Sequence, residues 1–286
     1  MSKTQSKILL LLVFMSRGSS FIFSKSLMND LDPISILAIR FLLTFILMFI
    51  LNIKKLKFNK ESIKGGITIG IIYTIMMILE MYGLRLIDSG VSSLIENMAI
   101  IYVPIFISLY TRKLPSKKII ICAIICLIGL SFLTLSQTSK DSAMLGIILT
   151  IIAAIAYAIS IIYTSYSIKE GDPLTIGVIQ MGIIGIISLI ISLFNSGLTI
   201  PNTNEQWLML LMLVIVCSCF GFVYQPIAQK NLSANTAAVF TIVNPLTASL
   251  LGIIVANEAL TIHKIIGIIL IFIGLIYYNI NLNEKG

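Results

Sequence analysis

The chain has 286 residues, of which 58% are hydrophobic and only 11% charged, and it carries a formal net charge of +8. A soluble domain of this length carries charge at about a quarter of its positions, so the composition excludes a soluble enzyme or carrier and leaves no soluble domain along the chain. The mean hydropathy of +1.04 and the recurrence of apolar runs long enough to cross about 30 Å of hydrocarbon as helices identify a polytopic membrane protein.

Taken in order, the apolar runs predict ten transmembrane helices, at 7–28, 34–52, 63–84, 89–110, 117–136, 143–167, 174–195, 207–228, 234–255 and 262–280. The first follows the basic start MSKTQSK and is read as an uncleaved helix rather than a signal peptide, because apolar character resumes after Ser20. Helix four contains Pro104 and helix nine Pro245, which predict breaks in corresponding helices, displaced from one another by about one turn: a transporter site, or simple kinks eased by neighbouring helices. Cys122, Cys126, Cys217 and Cys219 lie within apolar runs and read as helix filler, without the polar setting of a metal site. No metal, cofactor or nucleic acid is expected: the basic residues sit in short loops, where they act as topology signals.

The pattern repeats itself. NDLDPISIL (29–37) is echoed by KEGDPLTIG (169–177) after 140 residues, and LPSKKII (114–120) by LTIHKII (260–266) after 146. The longer connection at 195–206 takes up the six extra residues. Two ordered matches at helix boundaries predict two five-helix repeats, 1–140 and 141–286. Five is odd, so the second repeat enters the membrane from the opposite side. Charge agrees: Lys54, Lys55, Lys57, Lys60, Arg112, Lys113, Lys117 and Lys118 fall in loops placed inside, while 195–206 has no Lys or Arg and 256–264 has only Lys264. The expected fold is therefore an all-α integral membrane protein of two inverted repeats, multi-pass in the cytoplasmic membrane, with both termini cytoplasmic. Such a pair suits alternating access around a site between the halves.

RGSSFIFSKSLMNDLDPISILAIRF (17–41), through Gly18, Ser19, Lys25, Asp32, Pro33 and Arg40, and NLSANTAAVFTIVNPLTASLLGIIVANEALTIHKIIGIILIFIG (231–274), through Pro245 and Glu258, resemble the opening and closing signatures of the EamA-type transporters of the drug/metabolite transporter superfamily. The resemblance covers nearly the whole chain. It implies secondary transport of a small metabolite such as an amino acid, outward, across the lipid bilayer. Two positions depart from that pattern: Arg17 stands where the family usually has Trp, and RKLP (112–115) leaves Glu258 without an acidic twin.

A charge at the bilayer centre costs about 2.5–3.5 kcal/mol on insertion scales, so intramembrane ionisable groups face one another or the bundle interior. The candidates are Arg17, Lys25, Arg40, Glu80 and Glu96. Arg40 and Glu80 are expected to form a structural ion pair between helices two and three. Ser92, Ser93, Glu96 and Asn97 form a polar stripe at helical spacing, which is either an interhelical hydrogen-bond seam or a site lining. On the second reading Glu96 holds the cargo's cationic group or a coupling proton, Arg17 faces an anionic group, and Asn235, Thr241 and Asn244 on helix nine complete the candidate substrate-binding set. The segment GITIG (66–70) reads as a packing face.

Two other classes compete. Ser92 with His263, the single histidine, is a weak sketch of an intramembrane serine enzyme. A lipid-handling protein or a non-transporting scaffold shares the helices but needs no central polar site.

Overall fold

The computed structural model describes residues 1–87, 92, 95–134, 143–195, 197–255 and 261–282. Every regular element among them is helical. The elements are α1 (Lys3–Gly18), α2 (Ser20–Leu27), α3 (Pro33–Asn52), α4 (Lys60–Leu86), α5 (Ala99–Thr111), α6 (Lys117–Thr134), α7 (Ala143–Ser167), α8 (Pro173–Asn195), α9 (Asn204–Met212), a π-helical stretch (Leu213–Phe222), α10 (Gln225–Gln229), α11 (Ala234–Phe240), α12 (Val243–Val255) and α13 (Ile262–Leu282). Among the described residues, six helical spans are long and apolar enough to cross a membrane: Lys3–Leu27, Pro33–Asn52, Lys60–Leu86, Met144–Ser167, Pro173–Asn195 and Asn204–Gln229. Ala99–Thr111 is a shorter apolar helix, and Ile265–Gly274 is an apolar stretch within α13. Isoleucines such as Ile46, Ile50, Ile75, Ile186, Ile190 and Ile269 cover the outer surface, the pattern of a bundle solvated by lipid.

Asp-Pro starts both α3 and α8. Asp32 Oδ2 accepts from the amides of Ile34 (3.0 Å) and Ser35 (3.1 Å), and Asp172 Oδ2 accepts from the amide and hydroxyl of Thr175 (3.0 and 2.8 Å). In each case proline follows the cap, at the position where a missing N–H costs nothing. Each start is also clasped by a distant connection. The Asp32 amide donates to Thr199 Oγ1 (3.0 Å) and the Thr199 amide to Ser35 Oγ (3.1 Å). The Asp172 amide donates to Ser62 Oγ (2.7 Å) and the Lys57 amide to Thr175 Oγ1 (2.8 Å).

Packing pairs α3 with α8, α6 with α13, α4 with α7 and α8, α1 with the π-helical stretch and α12, and α5 with α7 and α11. Gly66 and Gly70 of GITIG lie against Ile179 and Ile183 of α8, so this face is packing, as expected.

Both proline expectations need correction. Pro104 lies inside α5, which continues through it. The interruption comes earlier, where the Met98, Ile100 and Ile101 amides reach back three residues, to the carbonyls of Ile95, Asn97 and Met98. In the second half the interruption is at Thr241–Ile242, ahead of Pro245, which is already within α12. The reason is local: Pro245 has no N–H for the Thr241 carbonyl four residues back, and the Asn244 amide takes that carbonyl instead (2.9 Å). The predicted span 207–228 is also not one regular helix, because its middle is widened to i→i+5 bonding, as in Val223 N–H to Ser218 O (3.2 Å).

Candidate functional site

Arg17 lies in the last turn of α1, and its side chain is 4% exposed. Its stem passes Gly221, where a Cβ would come within 2.7 Å of Arg17 Cγ; any larger residue there would meet it. The guanidinium then meets the face of Phe222, with its carbon 3.9 Å from the ring centroid. Tyr157, Tyr73 and Phe14 surround it at 5.1, 5.7 and 5.7 Å. Arg17 Nη1 donates to Gln225 Oε1 and to the Tyr73 hydroxyl (3.4 Å), and that hydroxyl donates to the same Gln225 oxygen (3.1 Å). Because Gln225 Oε1 receives both donors, the network itself sets the orientation of the amide.

The π-helical stretch positions this partner set. Its wider coil leaves carbonyls outside the ordinary i→i+4 ladder, and Gln180 Nε2 donates to one of them, Phe222 O (3.0 Å). Phe222 is thereby shared by two cations. Arg40 lies 5.7 Å from its centroid and over Phe41 (4.9 Å). Arg40 Nε donates to Ser218 Oγ (2.7 Å).

Glu80 and Glu96 are buried, 8% and 2% exposed. The expected direct Arg40–Glu80 pair is not made: Arg40 Nη2 and Glu80 Oε2 are both buried without a hydrogen-bond partner, as is Glu96 Oε2. The reason is geometric, since Arg40 turns its Nε to the hydroxyl that the widened coil presents. The charges still act on one another through space. Arg17 and Arg40 act on Glu80, and Arg17 and Glu80 act on Glu96. Two arginines and two carboxyl groups are therefore buried within reach of one another's fields, which offsets part of the cost that each would carry alone.

The other predicted residues differ in their settings. Ser92 and Asn97 are fully buried with Glu96, while Ser93 and Glu258 lie outside the described residues. On the facing segment Asn244 is buried and Asn235 half-buried. Asn244 packs closely on the end of α1, its carbonyl oxygen 2.4 Å from where a Gly18 Cβ would stand. Thr241 is buried but its hydroxyl is engaged with its own helix, at Ala238 O (2.7 Å). Lys25 is exposed near the end of α2. His263 is exposed and stacks on Phe132 (6.3 Å), whereas Ser92 is buried.

Phe222, Gln225, Ser218 and Gln180 were not anticipated. A signal for part of the set was present: Gln180 follows Arg40, and Tyr157 follows Arg17, by the same 140 residues that separate Asp32 from Asp172.

The EamA-like transporter family model matches residues 5–135 and again 144–280. An uncharacterized transporter of Clostridium kluyveri is 24% identical over 270 residues, covering 90% of this chain and 86% of that one. One from Archaeoglobus fulgidus is 24% identical over 263 residues, covering 90% and 92%, and one from Buchnera aphidicola is 25% identical over 286, covering 96% and 94%. A crystal structure superposes over 100% of both chains with a TM-score of 0.82 at 12% identity, a likeness of fold alone. A multi-pass helical bundle whose two halves each match one family model leaves a single assignment: this chain belongs to the EamA-like transporter family.

Proposed function

We propose that the protein is a secondary transporter that exports a small zwitterionic metabolite, an amino acid or a related solute, by alternating access. In this reading ten membrane crossings form two inverted repeats, 1–140 and 141–286, in the cytoplasmic membrane with both termini cytoplasmic. The observation that carries it is the buried cluster of Arg17, Arg40, Glu80 and Glu96, drawn from α1, α3, α4 and the segment ahead of α5. A purely structural bundle gains little from four buried charges in lipid. Unpartnered atoms of both signs, Arg40 Nη2 and Glu96 Oε2, suit a cargo bearing one cationic and one anionic group, while Glu80 balances the buried cations. Glu96 takes the cationic group or a coupling proton, and Arg17 faces the anionic one, with Ser92, Ser93, Asn97, Asn235 and Asn244 as further lining.

Support for the inverted repeat comes from symmetry of contact. If the halves exchange, the pairing of α1 with the π-helical stretch maps onto that of α7 with α4, and α3 with α8 and α6 with α13 map onto themselves; all four pairings occur. The two Asp-Pro clasps are related in the same way, one at each end of the bundle. The family model's two separate matches accord with this.

The test is the thermal unfolding of purified protein against a panel of amino acids, organic cations and sugar phosphates. A ligand that binds the folded state alone raises Tm by mass action. An amino acid that raises Tm in wild type and in Glu80→Gln, but not in folded Glu96→Gln, supports the reading. Stabilisation by lipids alone would favour a lipid-handling protein or scaffold.

A further inference from the structure

The groups around Arg17 form a site whose features are all addressed to a positive charge. Tyr73, Tyr157 and Phe222 come from three different segments. Tyr73 stands edge-on to Phe222 (centroids 5.5 Å, 79°) and tilted to Tyr157 (6.3 Å, 51°), so the rings brace one another. Gln225 Oε1 closes the box with an acceptor. Ring faces and a carbonyl oxygen attract any guanidinium or alkylammonium group, and none of these contacts depends on the cation being tethered to α1.

We propose that Tyr73, Tyr157, Phe222 and Gln225 constitute a cation-binding box whose resident occupant is the chain's own Arg17, and that Arg17 is thereby a specificity-determining residue that bars organic cations from this end of the site. The binding half of this inference stands apart from transport; its consequence for selectivity rests on the transport reading above. Rings and a neutral amide hold the guanidinium without cancelling its charge, as a contacting carboxylate would. Its positive field therefore remains directed at the cluster containing Glu80 and Glu96. A free cation finds both the space and the charge already taken. A zwitterion or anion does not enter the box and meets the guanidinium by its carboxylate.

The test uses the full-length purified protein and methylguanidinium chloride as probe, with total ionic strength held constant by sodium chloride so that screening does not change. In Arg17→Ala, Tm should rise saturably with the probe, while wild type should show no saturable rise. Adding Phe222→Leu to Arg17→Ala should weaken the probe by about tenfold or more, since a desolvated cation–π contact is lost. Arg17→Gln, which keeps a polar end for Tyr73 and Gln225, is read in the same way if Arg17→Ala does not fold. If neither variant folds alone, methylguanidinium present during solubilisation should restore a cooperative melt to Arg17→Ala. A folded variant without a saturable rise, failure of that restoration, or a rise in wild type equal to that in Arg17→Ala would overturn the proposal. Because the readout is binding, a protein that takes up the probe but moves no cargo sinks the transport reading and leaves the box standing.

Discussion

Ser218 and Ser188 are both fully buried, yet the same substitution to alanine should shift stability in opposite directions. Ser218 Oγ accepts from Arg40 Nε at 2.7 Å, whereas Ser188 Oγ is buried without a partner. Removing Ser218 Oγ strands a charged donor in the bundle interior, a loss of about 1.5–3 kcal/mol for a hydrogen bond to an ionised group. At about 2–4 °C per kcal/mol, the scale for chains of 150–250 residues, Tm should fall by about 3–12 °C. Removing Ser188 Oγ relieves an unpaired hydroxyl and should raise stability by about 1 kcal/mol, or about 2–4 °C. The gain in helix propensity from serine to alanine is common to both and cancels in the difference. The assay is thermal unfolding of both variants and wild type in one detergent at one scan rate, with monodispersity checked beforehand. Equal shifts in the same direction would refute the argument that Ser218 is a functional acceptor for Arg40.

Gly177→Ala should lower stability by about 1–3 kcal/mol, because its Cβ would stand 2.3 Å from the backbone oxygen of Val223, which has little room to move; an unchanged Tm would mean that α8 and the end of the π-helical stretch separate more easily than the structure implies. Asp32→Ala and Asp172→Ala should each cost about 1 kcal/mol through loss of the cap, and by similar amounts, since each carboxylate closes a matching helix start. A large effect at one and none at the other, read by the same melt, would count against the equivalence of the two clasps. Gln180→Leu should destabilise less than Ser218→Ala, because it frees a neutral carbonyl, Phe222 O, rather than a charged donor.

What could be read from the chain was what local chemistry dictates. Asp-Pro at 32–33 and 172–173 announces a capped helix start from two adjacent residues, and both helices begin there. Of the five charged residues that stand against an apolar background, Arg17, Arg40, Glu80 and Glu96 are buried and Lys25 is exposed. Their partners were not legible. Arg40 looked nearest in chemistry to Glu80, but the acceptor it uses is Ser218, 178 residues away. That hydroxyl is reachable because the π-helical stretch presents it, and LVIVCSCFGF contains no local signal for a wider coil. The widening is coupled to tertiary contacts, with Gln180 holding Phe222 O and Gly221 admitting the Arg17 stem. Proline did not mark the interruptions themselves: they precede Pro104 and Pro245, where amides turn back to nearer carbonyls.

The central claim is that the buried charges serve cargo movement. The most direct measurement is flux of a labelled amino acid, chosen by thermal stabilisation, in proteoliposomes containing wild type, Glu96→Gln or Glu80→Gln. The account predicts saturable flux in wild type and none in Glu96→Gln, with Glu96→Gln folded and incorporated to the same level. Full flux through folded Glu96→Gln would contradict it.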